Sequence, residues 1–241
     1  QKIFLNCLRS EKRNSDWTAL RDRVYNRRNQ TRWIRWQRGG EQVELNGKRI
    51  FYHGTNAKFD QIDLRVCPEK RDFGRGFYLT TQNAQAQKWA ELKGRSAGVC
   101  WLYEYRLACD SGGEPLRSLA LLEYDEKWLD IITWCRKTGS VPEKIREKWD
   151  LDCFGDYDVV YDRMADSRGN QLGVLIQRYY DGRLRAEKAL EQIPFSERVR
   201  AYRDQYCFRS DKSVGLLRLC RRYQYRLTDA SEWECEEEET L

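Results

Sequence analysis

From residue 49 onward the chain alternates short runs rich in β-branched and aromatic residues with longer runs of helical spacing. The first kind predicts strands at Arg49–His53, Gly76–Thr80, Cys100–Leu107, Tyr157–Tyr161, Gln205–Phe208 and Leu217–Arg226. The second predicts helices at Asn83–Leu92, Asp125–Arg136, Glu143–Trp149, Gln171–Tyr180, Arg185–Gln192 and Asp211–Leu216. Trp128, Ile131, Ile132 and Cys135 recur every three or four positions, which marks one buried face. Asn83 is placed to cap the first helix, and Pro142 suits the first turn of the third. No repeat of fixed period interrupts this order, so the class is mixed α and β.

The ends are patterned differently, and charge changes the picture there. Residues 1–40 carry eleven basic residues against Glu11, Asp16 and Asp22, so the basic excess of the chain belongs to this segment and the remainder is slightly acidic. Trp17, Leu20, Val24, Thr31 and Ile34 place an apolar stripe on an Arg-rich helix that docks on the main domain. Trp33 and Trp36 among Arg28, Arg32, Arg35 and Arg38 also suit partner binding, or, as the weaker reading, nucleic acid. Glu232 to Glu239 reads as a frayed acidic tail. The expected organisation is a helical segment at 1–40, a main domain at 41–228 and a tail at 229–241.

The whole chain has 241 residues, 40% of them apolar and 13% aromatic, enough for a sizeable core and too many for disorder. No apolar run approaches the roughly 20 residues of a membrane span, so a soluble protein is expected. The opening Gln1-Lys2-Ile3-Phe4 lacks an initiator Met, which suggests a trimmed fragment. Nine cysteines without a C-x-x-C pair, beside a single histidine, make no zinc set. They read as separate thiols in a reducing compartment.

The candidate chemistry lies in Phe51-Tyr52-His53-Gly54-Thr55 and, some twenty residues on, Asp72-Phe73-Gly74-Arg75-Gly76-Phe77-Tyr78-Leu79-Thr80. Asp72-Phe73-Gly74 spells the metal-binding triplet of kinases, but none of the accompanying kinase motifs is present. Gly74 and Gly76 fit a loop whose backbone comes close to a ligand, with Arg75 facing a pyrophosphate. Phe51, Phe77 and Leu79 read as core by position.

A strand ending in His-Gly-Thr, a second strand reached through Gly-Arg-Gly and carrying Phe-Tyr, and then a helix resemble the H-Y-E class of ADP-ribosyltransferases, the diphtheria-toxin and poly-ADP-ribose-polymerase type. The resemblance implies an α+β fold of two packed antiparallel β-sheets with an NAD cleft between them, and NAD as cosubstrate. It assigns His53 to a ribose hydroxyl, the Gly54 backbone to the nicotinamide amide, and Tyr78 to the face of the nicotinamide ring. Thr55, Arg75, Gly76 and Phe77 complete the implied NAD-binding set. Trp89, eleven residues after Tyr78, corresponds to a second aromatic on the opposite ring face. Ala86 stands where a small hydroxyl residue often holds the amide, leaving Thr80 or Thr81 for that contact.

The family's third residue, a Glu on a later strand, matches Gln205 in Asp204-Gln205-Tyr206-Cys207-Phe208. Glutamine bonds a hydroxyl but supplies no negative charge and no base. Transfer, hydrolysis or loss of activity therefore stay open, and polymerisation does not. The order from Asp156-Tyr157-Asp158-Val159-Val160 through Met164-Ala165-Asp166 to the Gln205 strand, with Lys212 nearby, is similar to a bacterial subgroup that includes the CteC-type effectors. These are delivered into host cells and modify a threonine of ubiquitin. By resemblance the expected function is mono-ADP-ribosylation of a protein hydroxyl, with ubiquitin as acceptor, by a monomeric secreted effector acting in the host cytoplasm without a metal. Another acceptor, or an NAD-binding module of weak activity, is the alternative. A hydroxyl acceptor needs a proton acceptor, and Asp166 or Asp204 is the candidate base.

Overall fold

A computed structural model describes residues 49–108, 116–151, 154–162, 171–193 and 203–240. The N-terminal segment at 1–40 and Asp166 lie outside the described residues. Eight strands are described: β1 (Ile50–Thr55), β2 (Phe77–Leu79), β3 (Val99–Leu107), β4 (Ser118–Leu121), β5 (Val159–Asp162), β6 (Gln205–Phe208), β7 (Leu217–Leu227) and β8 (Trp233–Thr240). Six α-helices accompany them: α1 (Asn83–Gly94), α2 (Glu126–Thr138), α3 (Glu143–Lys148), α4 (Gln171–Tyr180), α5 (Ala186–Gln192) and α6 (Asp211–Val214).

The strands form two four-stranded sheets, in the orders β1-β3-β7-β8 and β2-β6-β5-β4. All pairs are antiparallel except β4 with β5, whose parallel pairing is spanned by the crossover through α2 and α3. The expectation of two antiparallel sheets is thus corrected at one pair. A single bridge, Tyr52 to Thr80, joins the edge strand of one sheet to the edge strand of the other.

The alternation of side chains across β2, β5 and β6 divides the interior in two. Phe77, Leu79, Val159, Tyr161, Tyr206 and Phe208 pack with Phe51, Tyr103 and Tyr105. Val160 and Cys207 face the other way, onto Trp128, Ile131, Ile132 and Leu175 beneath the helices. The α2 stripe is buried as its spacing predicts, and Asp125 caps that helix by accepting from the Trp128 N–H at 2.9 Å.

Three local expectations change. Asn83 is not the cap of α1: Gln82 holds that place without a side-chain bond, and the Asn83 amide is drawn to the Tyr52 hydroxyl. Pro142 stands just before the first turn of α3, at its cap. The acidic tail is an ordered strand, β8, because β7 opposite it is arginine-rich: Arg226 bonds Glu236 at 2.6 Å and Arg221 lies 3.6 Å from Glu238. Opposite charges facing across a ladder remove the like-charge penalty that makes a glutamate run a poor strand by itself.

Candidate functional site

The two edge strands part at a definite point. Tyr52 and Thr80 exchange both backbone bonds, Tyr52 N to Thr80 O at 2.7 Å and Thr80 N to Tyr52 O at 3.0 Å. Hydrogen-bonded pairs of an antiparallel ladder recur every second residue, so the next would be Gly54 with Tyr78. It does not form. His53 donates from Nδ1 to the Tyr78 carbonyl at 2.8 Å instead, and no described residue bonds the N–H or C=O of Gly54 on this side. One donor and one acceptor are left side by side on the strand edge, the complement of a carboxamide.

The same bond settles the state of the imidazole. A carbonyl only accepts, so Nδ1 carries the proton and Nε2 is left with a bare lone pair in the neutral ring. Phe77, Phe59 and Tyr103 surround the ring at centroid distances of 4.3, 5.8 and 6.4 Å. Burial lowers the His53 pKa to about 4, against the bond to Tyr78 that favours the charged form. His53 therefore presents an acceptor, fit for a hydroxyl donor. Phe59 is held over it by the Tyr103 hydroxyl, which accepts from the Phe59 N–H at 2.7 Å, and by Arg222, which bonds Asp60.

Gly54 has a structural reason as well. A Cβ there would sit 1.9 Å from the Ala86 carbonyl oxygen and 2.9 Å from the Ala90 nitrogen, so only glycine lets α1 lie across β1 at the notch. Ala86 and Ala90 are buried in that contact, whereas Trp89 between them is 45% exposed, with Lys93 4.9 Å above its ring. Gln85, one turn before Trp89 on the same helix row, donates to the Asp204 carbonyl at 2.8 Å and ties this face of α1 to the start of β6.

Asp204 is a clamp. Its carboxylate accepts from the Thr80 hydroxyl at 2.6 Å, the Thr81 N–H at 2.9 Å and the Thr81 hydroxyl at 2.5 Å. It is thereby committed to fixing the junction of β2 and α1, and the same bonds occupy the hydroxyls of Thr80 and Thr81. The Thr55 hydroxyl accepts from the Ala57 N–H and closes a turn. The Arg75 guanidinium bonds the carbonyl of Leu64 and the carboxylate of Glu69 in the preceding loop. A Cβ on Gly76 would meet the Cys207 sulfur at 2.3 Å, so β6 requires that glycine; Gly74 needs its positive φ of 78°. Phe77 is core at 5% exposure.

Tyr78 and Gln205 share the helix-facing side of β2 and β6, while His53 lies on the inter-sheet side and bonds the Tyr78 carbonyl. The Tyr78 hydroxyl accepts from the Phe73 N–H and donates to the Gly74 carbonyl, both at 2.9 Å, fixing the loop before β2. Burial, with nearby acidic groups second, holds its pKa well above the usual phenol value, so it stays protonated. Gln205 donates from Nε2 to Asp72 Oδ2 at 3.0 Å, and Asp72 Oδ1 accepts from Arg136 Nε at 2.6 Å. Burial alone would raise the Asp72 pKa, but Arg136 and Gln205 outweigh it and hold it below the usual value. Asp162, opposite Gln205 in the β5–β6 pairing, is fully buried. Its Oδ2 accepts from Trp128 Nε1 at 3.0 Å, its Oδ1 has no partner, and burial raises its pKa to about 8.

Asp72, Asp162, Arg136 and Phe59 were not singled out by the sequence reading. The signals were an aspartate closing the apolar run Val159-Val160-Tyr161 and an arginine in the last turn of an otherwise apolar helix face. Among the described residues no group of His, Cys, Asp or Glu is arranged to hold a metal ion, and no disulfide joins the described cysteines. No described helix is long and apolar enough to cross a membrane.

The fold and this seam define an α+β protein of two mostly antiparallel sheets, with a break in the ladder, the notch, between their edges. A family model described as a protein of unknown function, DUF3990, matches residues 49–219, and the chain belongs to that family. No curated protein and no solved structure matches it.

Proposed function

We propose that this protein binds NAD in the notch between β1 and β2 and transfers ADP-ribose from it to a protein hydroxyl. The observation that carries the reading is the interrupted bridge: Gly54 offers an N–H and a C=O to an amide, beside a neutral His53 whose Nε2 accepts from a hydroxyl. A nicotinamide riboside has those two groups in sequence. Its ring is cationic, which suits an exposed indole such as Trp89. In the reaction the bond from ribose C1 to the nicotinamide nitrogen breaks, and nicotinamide leaves with the electron pair. The acceptor oxygen then bonds C1 and its proton passes to a base or to solvent. Asp204, committed to Thr80 and Thr81, is a poor base, and Asp166 is the other candidate.

The resemblance to ubiquitin-modifying effectors makes a ubiquitin threonine the acceptor to test first. Purified ubiquitin is incubated with NAD and either the unmodified protein or His53→Ala, then weighed intact and fragmented. Gain of one ADP-ribose on a threonine, dependent on His53, is the expected result. Release of nicotinamide without a ubiquitin adduct points to another acceptor. Absence of both NAD binding and nicotinamide release refutes the reading. The neutral amide at Gln205 favours one rival, an NAD-binding module, which predicts binding without release.

A further inference from the structure

His53, Tyr103 and Arg222 stand opposite one another across β1, β3 and β7, so their side chains form one row on the inter-sheet face. A guanidinium is out of place in that row: Arg222 is 8% exposed, and a buried cation needs an anion. The anion comes from outside the sheet. Arg222 bonds Asp60 at 2.7 Å and the Phe59 carbonyl at 3.3 Å, two consecutive residues of the loop that follows β1. We infer that Arg222 is a positioning residue for His53: by fastening Phe59 and Asp60 it holds the Phe59 ring against the imidazole, and this contact keeps His53 a hydroxyl acceptor. The arrangement needs no ligand; its meaning for catalysis rests on the NAD reading above.

Side chains place Phe59 where a ladder would place a strand residue. Its N–H donates to the Tyr103 hydroxyl at 2.7 Å, and that hydroxyl donates back to the Phe59 carbonyl at 3.1 Å. Its ring lies flat on Tyr103, at a centroid distance of 4.3 Å with 13° between the planes. The same ring stands edge-on to His53 at 5.8 Å and to Phe77 at 6.0 Å. Asn56, Ala57 and Lys58 before it and Gln61 beyond are exposed, so Phe59 is the residue of this loop tip that reaches the row.

Of the three rings around the imidazole, Phe77 and Tyr103 belong to strands and are fixed by their ladders; Phe59 belongs to a loop and is fixed by Tyr103 and Arg222. Burial holds the His53 pKa at about 4, against the opposing bond to Tyr78. The titratable groups on the elements around it do not set that value: burial keeps the Tyr103 phenol protonated, and Arg222 and Asp60 are paired with each other. Losing Phe59 therefore lets water reach the ring and raises its pKa toward 6.5, the value of a solvated imidazole. A charged imidazole donates from both nitrogens and no longer accepts from a hydroxyl.

The test is the NMR titration of His53, the single imidazole of the chain, in the unmodified protein, Phe59→Ala, Asp60→Ala and Arg222→Lys, with thermal melting to show that each is folded over the titration. Asp60→Ala carries most weight, because the Asp60 side chain is 87% exposed and its removal leaves no cavity. Phe59→Ala is expected to raise the midpoint by about one unit or more, a gain in proton affinity of about tenfold, and Asp60→Ala to raise it by about half a unit or more. Arg222→Lys keeps a cation for Asp60 and is expected to stay closer to the unmodified protein than Asp60→Ala does. An unmoved midpoint in Phe59→Ala would overturn the inference, since that ring would then not be what shields the imidazole. A midpoint moved by Phe59→Ala and not by Asp60→Ala would overturn it equally, since the ring would then hold without Arg222. NAD affinity measured over the same pH range keeps the two readings apart: the expected titration in a protein that binds no NAD refutes the NAD reading alone, whereas NAD binding with an unmoved midpoint refutes only this inference.

Discussion

Replacing Asp162 with asparagine tests the buried cluster without any ligand. In the unfolded chain this carboxyl has its ordinary value of 3.8, and in the folded protein burial lifts it to about 8, against the opposing effect of the Trp128 indole bond. The folded state therefore keeps a proton that the unfolded chain has released, over the interval between those values. Stability from this group is complete below pH 3.8 and is lost as pH rises through about 8. The slope is about 1.4 kcal/mol per pH unit until the folded carboxyl itself titrates, so from about pH 6.5 to about pH 8 the loss is about 1.5 kcal/mol.

Other groups with shifted values act mainly outside that window. His53 titrates at about 4 folded and 6.5 unfolded, so it withholds stability on the acid side and returns only about 0.4 kcal/mol above pH 6.5. The buried thiols of Cys100, Cys135 and Cys207, each pushed up to about 12, act above about pH 8.5. Denaturant unfolding at several pH values across the window, under reducing conditions, should show the decline in the unmodified protein. Asp162→Asn keeps an oxygen for Trp128 and has nothing to titrate, so its stability should be nearly level. Equal slopes in the two proteins would refute the argument, because the proton would then belong to another group.

Two further expectations concern the notch. His53 is the only imidazole in the chain, so its NMR titration needs no assignment: the midpoint should fall near 4 with Nδ1 protonated in the neutral form, and a midpoint near 6.5 would contradict its enclosure. Gly54→Ala must drive α1 off β1, because its Cβ would lie 1.9 Å from the Ala86 oxygen; a cost of about 1–3 kcal/mol or more is expected in thermal melts, and an unchanged melting temperature would show that the helix does not press on the strand there.

From residue 49 onward the predicted strands and helices fall on observed ones, because each announced itself locally, by β-branched and aromatic content in Tyr157–Tyr161 or by three-and-four spacing in α2. The two missed strands carry no such local signal. Ser118–Leu121 is four residues long and is a strand because β5 lies beside it, and β8 is held by arginines of β7. At the seam, the segments that bring His53 and Gly54 beside Tyr78 were legible in the sequence. The interrupted bridge was not, since it is a property of register between two edges. Gly76 and Arg75, read as ligand contacts, also satisfy β6 and the 64–69 loop, which no pattern within their own segment could show.

Gln205 shows the same limit in its sharpest form. Taken within its own strand, it subtracts a charge from the position the resemblance assigns to glutamate. In space it lies between an ionised Asp72 and a buried Asp162, with one guanidinium to balance them. Arg136 is the one guanidinium hydrogen-bonded to the pair, and Asp162 keeps its proton near neutral pH. A third acid at position 205 would need a second proton or a second cation, whereas an amide gives an N–H to the anion and keeps an acceptor on its other side. The residue type at this position is therefore set by residues distant in sequence.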